Sequence, residues 1–195
     1  MKNILLISGH PEPGKSIANR AILKELNSIS DIEIHELAGA HSGYEFNVQK
    51  EKEKLQWADL IILQAPFRWY GLPALMRLWI EQVFTFGFAF GPEGNKLKGK
   101  KVLLSLTLGG DEIAYSSQGQ HQHPVETFLV SLERFLAYCS IEYLPPVYSY
   151  SMADNDKNSI LEKARRHAER VMDCIENELF AAENIGMRRW GLQEI

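Results

Sequence analysis

Two rhythms of apolar and polar positions alternate along the chain. Short runs that are almost continuously apolar, Ile4–Ser8, Leu60–Gln64 and Val102–Thr107, have the length and branched composition of strands buried on both faces. Two weaker runs, Ile32–Leu37 and Glu142–Val147, complete a set of five. Between them the apolar positions recur at helical spacing, which marks helices with one face toward a core. A helix is predicted from Ser16, with Ala18, Ile22 and Leu26 on one side. Others are predicted over Gln49–Trp57, over Pro73–Phe84 with proline at the opening, from His123-Pro124 to Cys139, and over Asn158–Leu179.

Strand and helix therefore alternate, and crossovers that each contain a helix join strands in parallel with right-handed connections. The expected architecture is α/β: a doubly wound three-layer sandwich around a five-stranded parallel sheet of order 2-1-3-4-5. Residues 1–180 form the expected domain. Residues 181–195 form a carboxyl-terminal extension that carries Met187, Trp190 and Leu192 beyond the last predicted helix. In such a sheet ligands bind beyond the carboxyl ends of the strands, where the first and third strands part. Three loops leave that edge.

The first loop, His10-Pro11-Glu12-Pro13-Gly14-Lys15-Ser16-Ile17-Ala18-Asn19, leads into a helix whose opening amides and positive dipole end suit a phosphate, with the Ser16 hydroxyl as a further donor. The plainer alternative is that Ser16 only caps the helix. The second, Ala65-Pro66-Phe67-Arg68-Trp69-Tyr70-Gly71-Leu72-Pro73, puts two adjacent large aromatics at the edge, where they can cover a planar heterocycle or serve as a lid on their own helix. The third, Thr107-Leu108-Gly109-Gly110-Asp111, lets the backbone approach a ligand closely or simply turn. Tyr115 and His121 follow in a polar segment, as candidates for proton or hydrogen-bond chemistry. A metal pair at His121 and His123 lacks a carboxylate or thiol at ligand spacing.

Composition changes the picture mainly by exclusion. A formal net charge of −4 over 195 residues supplies no basic field for releasing counter-ions, so nucleic acid is not an expected partner. Neither GxGxxG nor GxxxxGK[ST] occurs, which removes the common dinucleotide and Walker loops. Cys139 and Cys174 fit neither a redox pair nor a zinc spacing, and are expected as reduced thiols of a cytosolic protein. Four apolar residues before Ser8 are too few for a signal-peptide core or a membrane span.

Taken in order, four groups of residues resemble the flavodoxin-like NAD(P)H:quinone oxidoreductase family, in its branch of general stress quinone reductases and ancillary oxidoreductases of glutathione-regulated potassium efflux. They are His10-Pro11 with Ser16-Ile17-Ala18-Asn19; Pro66-Phe67-Arg68-Trp69-Tyr70 with Pro73-Ala74-Leu75 and Trp79-Ile80-Glu81-Gln82-Val83-Phe84; Gly87-Phe88-Ala89-Phe90-Gly91; and Thr107-Leu108-Gly109-Gly110 followed by Tyr115 and His121. The likeness extends over residues 2–175.

The resemblance implies a flavodoxin-like fold and a bound flavin, FMN before FAD, that takes hydride from NAD(P)H and gives two electrons to a quinone in one shared pocket. It assigns the phosphate end to His10, Ser16, Ile17, Ala18 and Asn19. The ring falls to Pro66, Phe67, Arg68, Trp69, Tyr70, Thr107, Leu108, Gly109 and Gly110, and catalysis to Tyr115 and His121. It further implies a cytoplasmic homodimer, with Phe84, Phe86, Phe88 and Phe90 at a dimer contact or quinone entrance. The alternative role is that of a regulatory ancillary subunit of a potassium-efflux membrane protein at the inner face of the membrane. Arg68 and Leu108 depart from the family's usual neutral residue and second threonine, and neither departure removes a backbone donor.

Overall fold

Successive side chains of a strand point to opposite faces, so a strand that is apolar throughout needs cover on both sides. In the computed structural model, which describes residues 3–29, 32–154 and 156–190 and side chains to residue 178, β1 (Ile4–Ser8) behaves in this way. Its Leu5 and Ile7 join a core with one set of helices, and its Ile4 and Leu6 join a separate core with another. The same division runs through β5 (Leu60–Pro66) and β6 (Lys101–Thr107).

One face is covered by α1 (Ile17–Leu26) and α5 (Lys157–Trp190), through Ala18, Ile22 and Leu26 on the first and Ala164, Ala168 and Val171 on the second. The other is covered by α2 (Val48–Trp57), α3 (Ala74–Val83) and α4 (Val125–Tyr138), through Leu55, Met76, Trp79, Leu129 and Leu136. Trp79 is fully buried, and its indole N–H donates to Glu51 at 2.8 Å; His35 donates to the same carboxylate at 2.7 Å. Cys139 is buried, Cys174 half-buried, and both are free thiols. Among the described residues no helix is long and apolar enough to cross a membrane.

β2 (Ile32–Glu36) pairs with β1, β1 with β5, and β5 with β6, all in parallel; β6 then pairs with β7 (Glu142–Tyr143) and, further along, with β8 (Val147–Ser149). Counting β7 and β8 as one interrupted strand, this is the expected order 2-1-3-4-5. The interruption is Leu144-Pro145-Pro146: two prolines have no N–H to give the ladder, so the strand expected over Glu142–Val147 splits around them.

Two other features differ from the sequence reading. A two-stranded hairpin, β3 (His41–Ser42) and β4 (Glu45–Phe46), turns through Gly43 and Tyr44, both at positive φ. Its strands are too short to show a period. The last helix also runs to Trp190 rather than Leu179, so residues 181–190 continue α5 instead of leaving it. Ala181, Ala182, Glu183, Met187, Arg188 and Arg189 are strong helix formers, which offset the roughly 1 kcal/mol cost of Gly186. Leu192 lies outside the described residues.

One polar group sits deep between the sheet and α5. His167 is 0% exposed, and its two ring nitrogens meet Ser105 Oγ at 2.6 Å and Ser149 Oγ at 2.8 Å. Burial, and after it the charge of Arg170, push the imidazole down from 6.5 to about 3. Between those values the unfolded chain binds a proton that the folded chain refuses. Stability is therefore full above about 6.5 and falls with pH toward about 3, at about 1.4 kcal/mol per pH unit for this group. Urea unfolding followed across that range should show this acid-side slope, and His167→Gln should flatten it.

Candidate functional site

The carboxyl ends of β1, β5 and β6 converge where the connections diverge, to β2 on one side and β6 on the other. Backbone hydrogen bonds tie the departing loops to neighbouring strands: Gly9 N to Gln64 O at 2.9 Å, Phe67 N to Thr107 O at 2.8 Å, and Leu108 N to Ser149 O at 2.8 Å. Between the loops lies a cleft of about 330 Å³. His10, Ser16, Ile17, Ala18 and Asn19 line it from the first loop, Pro66, Phe67 and Arg68 from the second, and Thr107, Leu108 and Gly109 from the third. Eleven of the residues singled out from sequence thus share one cavity.

At the α1 end the cleft is built of donors. Ser16 caps α1, its Oγ accepting from Asn19 N at 3.0 Å, while the N–H groups of Ile17 and Ala18 find no acceptor among the described residues. The Asn19 side chain donates to Thr107 Oγ1 at 3.1 Å and accepts from Gln64 Nε2 at 2.9 Å, which pins the helix start to β5 and β6. His10 is buried; burial, followed by the charge of Arg68, lowers its pKa and favours the neutral ring. Its Nδ1 accepts from Glu12 N at 3.0 Å, which leaves the proton on Nε2. Free amides, a helix dipole, two hydroxyls and the Arg68 cation give this end a chemistry that suits an anion, while the Lys15 ammonium is paired with Glu12 at 2.5 Å.

Beyond it the third loop offers two more unsatisfied amides, since neither Gly109 N nor Gly110 N makes a hydrogen bond among the described residues. A side chain at Gly109 would come against Ala153, so the absence of one keeps that wall open. Gly110 leads away from the cleft to an aromatic cluster. The rings of Tyr115 and His121 lie 4.3 Å apart, Tyr70 Oη is 3.3 Å from His121 Nδ1, and Phe67 meets Tyr115 edge-on at 5.9 Å. Burial, and to a lesser degree Tyr70, raise the pKa of Tyr115, which keeps it a neutral donor. Phe67, which also lines the cleft, joins the two regions.

Five of the expected residues do not line the cleft: Trp69, Tyr70, Gly110, Tyr115 and His121. Trp69 stands furthest out, 95% exposed. The reason is local. Arg68 and Gly71 exchange both backbone hydrogen bonds around a two-residue turn, and Trp69 and Tyr70 occupy it at φ of 48° and 61°. Of the alternating phenylalanines, Phe84 and Phe88 are buried, the latter with Lys52 Nζ 5.0 Å over its ring, whereas Phe86 is 69% exposed. Sequence reasoning missed four lining residues: Lys15, Met152, Ala153 and Ile160. The signal was available in Ser151-Met152-Ala153-Asp154, a turn-forming segment after the last strand at the same edge. Met152 N and Ser151 N bond the carbonyls of Leu108 and Gly110, both at 2.8 Å.

The loop from Asp111 to His123 folds tightly on itself, with His121 N donating to Ala114 O at 2.8 Å. A Cβ at Gly119 would overlap the carbonyl oxygens of Ile113 and Ala114. Gly119→Ala is accordingly expected to lower the unfolding free energy by about 1–3 kcal/mol and to abolish the nuclear Overhauser contact between the Tyr115 and His121 rings.

A family model described as a flavodoxin-like fold matches residues 2–172. The glutathione-regulated potassium-efflux system ancillary protein KefF of Enterobacter sp. (strain 638) is 35% identical over 170 residues, 87% of this chain and 96% of that protein. The crystal structure of general stress protein 14 from Treponema denticola, in complex with FMN, superposes with a TM-score of 0.81 at 25% identity, covering 88% of this chain and 98% of that one. An NADPH-quinone reductase from P. pentosaceus superposes with a TM-score of 0.74 at 22% identity over 87% and 97% of the two chains, a likeness of fold.

Proposed function

The chain belongs to the flavodoxin-like family, and from that membership we propose that it is a flavin-dependent oxidoreductase that passes two electrons from NAD(P)H through FMN to a quinone. One observation carries the reading: a single cleft takes in the free amides of α1, the Pro66–Arg68 segment and the Thr107–Gly109 segment. Its donor set suits riboflavin phosphate at both ends. Ser16, the Ile17 and Ala18 amides, and His10 Nε2–H match a phosphate; the Gly109 amide matches the acceptor-rich rim of an isoalloxazine. FMN is preferred to FAD because the relative from Treponema denticola was crystallised with it.

When bound, the flavin supplies the two-electron carrier between nicotinamide and acceptor. The protein supplies position and electrostatics. Ser16, Thr107 and the α1 amides would anchor the phosphate, Phe67 and Leu108 would exclude water, and the Gly109 amide would stabilise negative charge on the ring. Tyr115 and His121, whose tilted rings lie beside Gly110, would hold or donate a proton at the oxygen of an acceptor. Trp69 and Tyr70 form the rim of the entrance.

A homodimer fits the apolar groove between α3 and α4, which is lined by Leu72, Ile80, Phe128, Leu132 and Phe135 next to the aromatic turn. The relation to KefF favours a second role, in which the protein acts in the cytoplasm and docks on a potassium-efflux protein at the inner face of the membrane. Turnover and docking are compatible.

The purified protein should be yellow, bleach anaerobically with NADPH or NADH, and recover its colour on addition of a quinone; a colourless protein that takes up no FMN overturns the proposal. Tyr115→Phe with His121→Gln should keep the flavin while lowering quinone turnover by ~10²-fold. Sedimentation velocity should give a dimer, and Phe128→Asp should convert it to monomer.

A further inference from the structure

Ser16 and Thr107 are the outer end of a hydrogen-bonded chain that begins under α5, on the face of the sheet that α1 also covers. Ser149 Oγ lies 2.8 Å from His167 Nδ1, and His167 Nε2 lies 2.6 Å from Ser105 Oγ. Ser105 Oγ donates to Gln64 Oε1, and Gln64 Nε2 donates to Asn19 Oδ1 at 2.9 Å. The two protons of the Asn19 amide then go to Thr107 Oγ1 at 3.1 Å and Ser16 Oγ at 3.3 Å. Gln64, Ser105 and His167 are 0% exposed, so none of the three can turn to water instead.

Counting protons gives the chain a direction. A serine hydroxyl has one, and that of Ser105 is spent on Gln64, so Ser105 must accept from His167. The ring therefore carries its proton on Nε2 and accepts the Ser149 proton on Nδ1. Burial keeps it neutral, with one donor and one acceptor. At the other end Thr107 accepts from Asn19, and Ser16 accepts from both the side chain and the backbone N–H of Asn19. The hydroxyl protons of Thr107 and Ser16 have no acceptor among the described residues, and both residues line the cleft. Reversal of the chain would turn those protons back onto Asn19 Oδ1 and present lone pairs to the cleft, which repel a phosphate.

We propose that His167, which does not line the cleft, is a positioning residue whose tautomer orients this chain so that Ser16 and Thr107 donate into the cleft and select an anionic oxygen there. The inference rests on the reading of the cleft as a flavin site, and names the discrimination it makes: riboflavin phosphate over riboflavin. A polar seam that only satisfied the core would affect both ligands alike.

Dissociation constants for FMN and for riboflavin, measured by flavin fluorescence on the wild-type chain and on His167→Leu, Ser105→Ala and His167→Gln, separate these cases. His167→Leu and Ser105→Ala are expected to weaken FMN about ten-fold, the scale of one hydrogen bond to a charged acceptor, and riboflavin by less than about two-fold. His167→Gln, whose amide can still donate to Ser105, should recover most of the FMN affinity. Parallel weakening of both ligands, or an FMN affinity common to all four proteins, overturns the proposal while leaving the flavin reading intact. A wild-type chain that binds neither ligand overturns the flavin reading and this inference with it. Should His167→Leu fail to fold by circular dichroism, Ser105→Ala, which removes one oxygen from a central strand, decides the matter.

Discussion

The side-chain amide of Asn19 is shared among Ser16, Gln64 and Thr107, and that one group fixes how α1 meets the sheet. Helix starts leave amides unpaired, and strand ends leave polar side chains in search of partners; here each need is met partly by the other. Because Asn19 is buried, an unmet bond at this point would cost about 1–3 kcal/mol. The cleft is the remainder of that arrangement: the amides of Ile17 and Ala18, and two hydroxyls, are what the described residues leave unsatisfied.

Much of this was legible in the sequence because a parallel sheet buries its strands on both faces. Ile4–Ile7 and Leu60–Leu63 can hardly be anything but central strands, and once they are central their loops must meet at one edge. The loops of His10 to Asn19 and of Thr107 to Gly109 follow from that, and the family resemblance assigns their residues. What periodicity could not convey was local or long-range. The β3–β4 hairpin has strands of two residues each, and only Gly43 betrays it. Gln64 and Ser105 read as polar interruptions in apolar strands, and nothing in their surroundings along the chain indicates that His167, more than sixty residues after Ser105, completes their hydrogen bonds. Met152 and Ala153 carry no chemistry of their own, and line the cleft only because backbone bonds fold that segment over Leu108 and Gly110.

The aromatic region follows a different logic from the anion end. There the geometry comes from strained turns. Trp69, Tyr70 and Gln122 all hold positive φ without being glycine, a conformation that costs roughly 1–2 kcal/mol per residue and persists only where the surroundings enforce it. The enforcement is visible: paired backbone bonds between Arg68 and Gly71 on one side, and the collapsed loop around Gly119 on the other. Stiff donors hold one end of the cleft, and beyond the other the tilted rings of Tyr115 and His121, on one loop, meet Phe67 and Tyr70 from another. Such a division allows the mouth to be remodelled without disturbing the anchor.

The two prolines between β7 and β8 bear on more than the sheet's outline. They fall on its last strand, where a continuous row of free N–H and C=O groups would offer a template for another chain to pair with. Splitting that margin into stretches of two and three residues leaves no length on which an intruding strand could zip up. A sheet whose central strands are largely apolar is thereby guarded against edge-to-edge aggregation at one of its two borders.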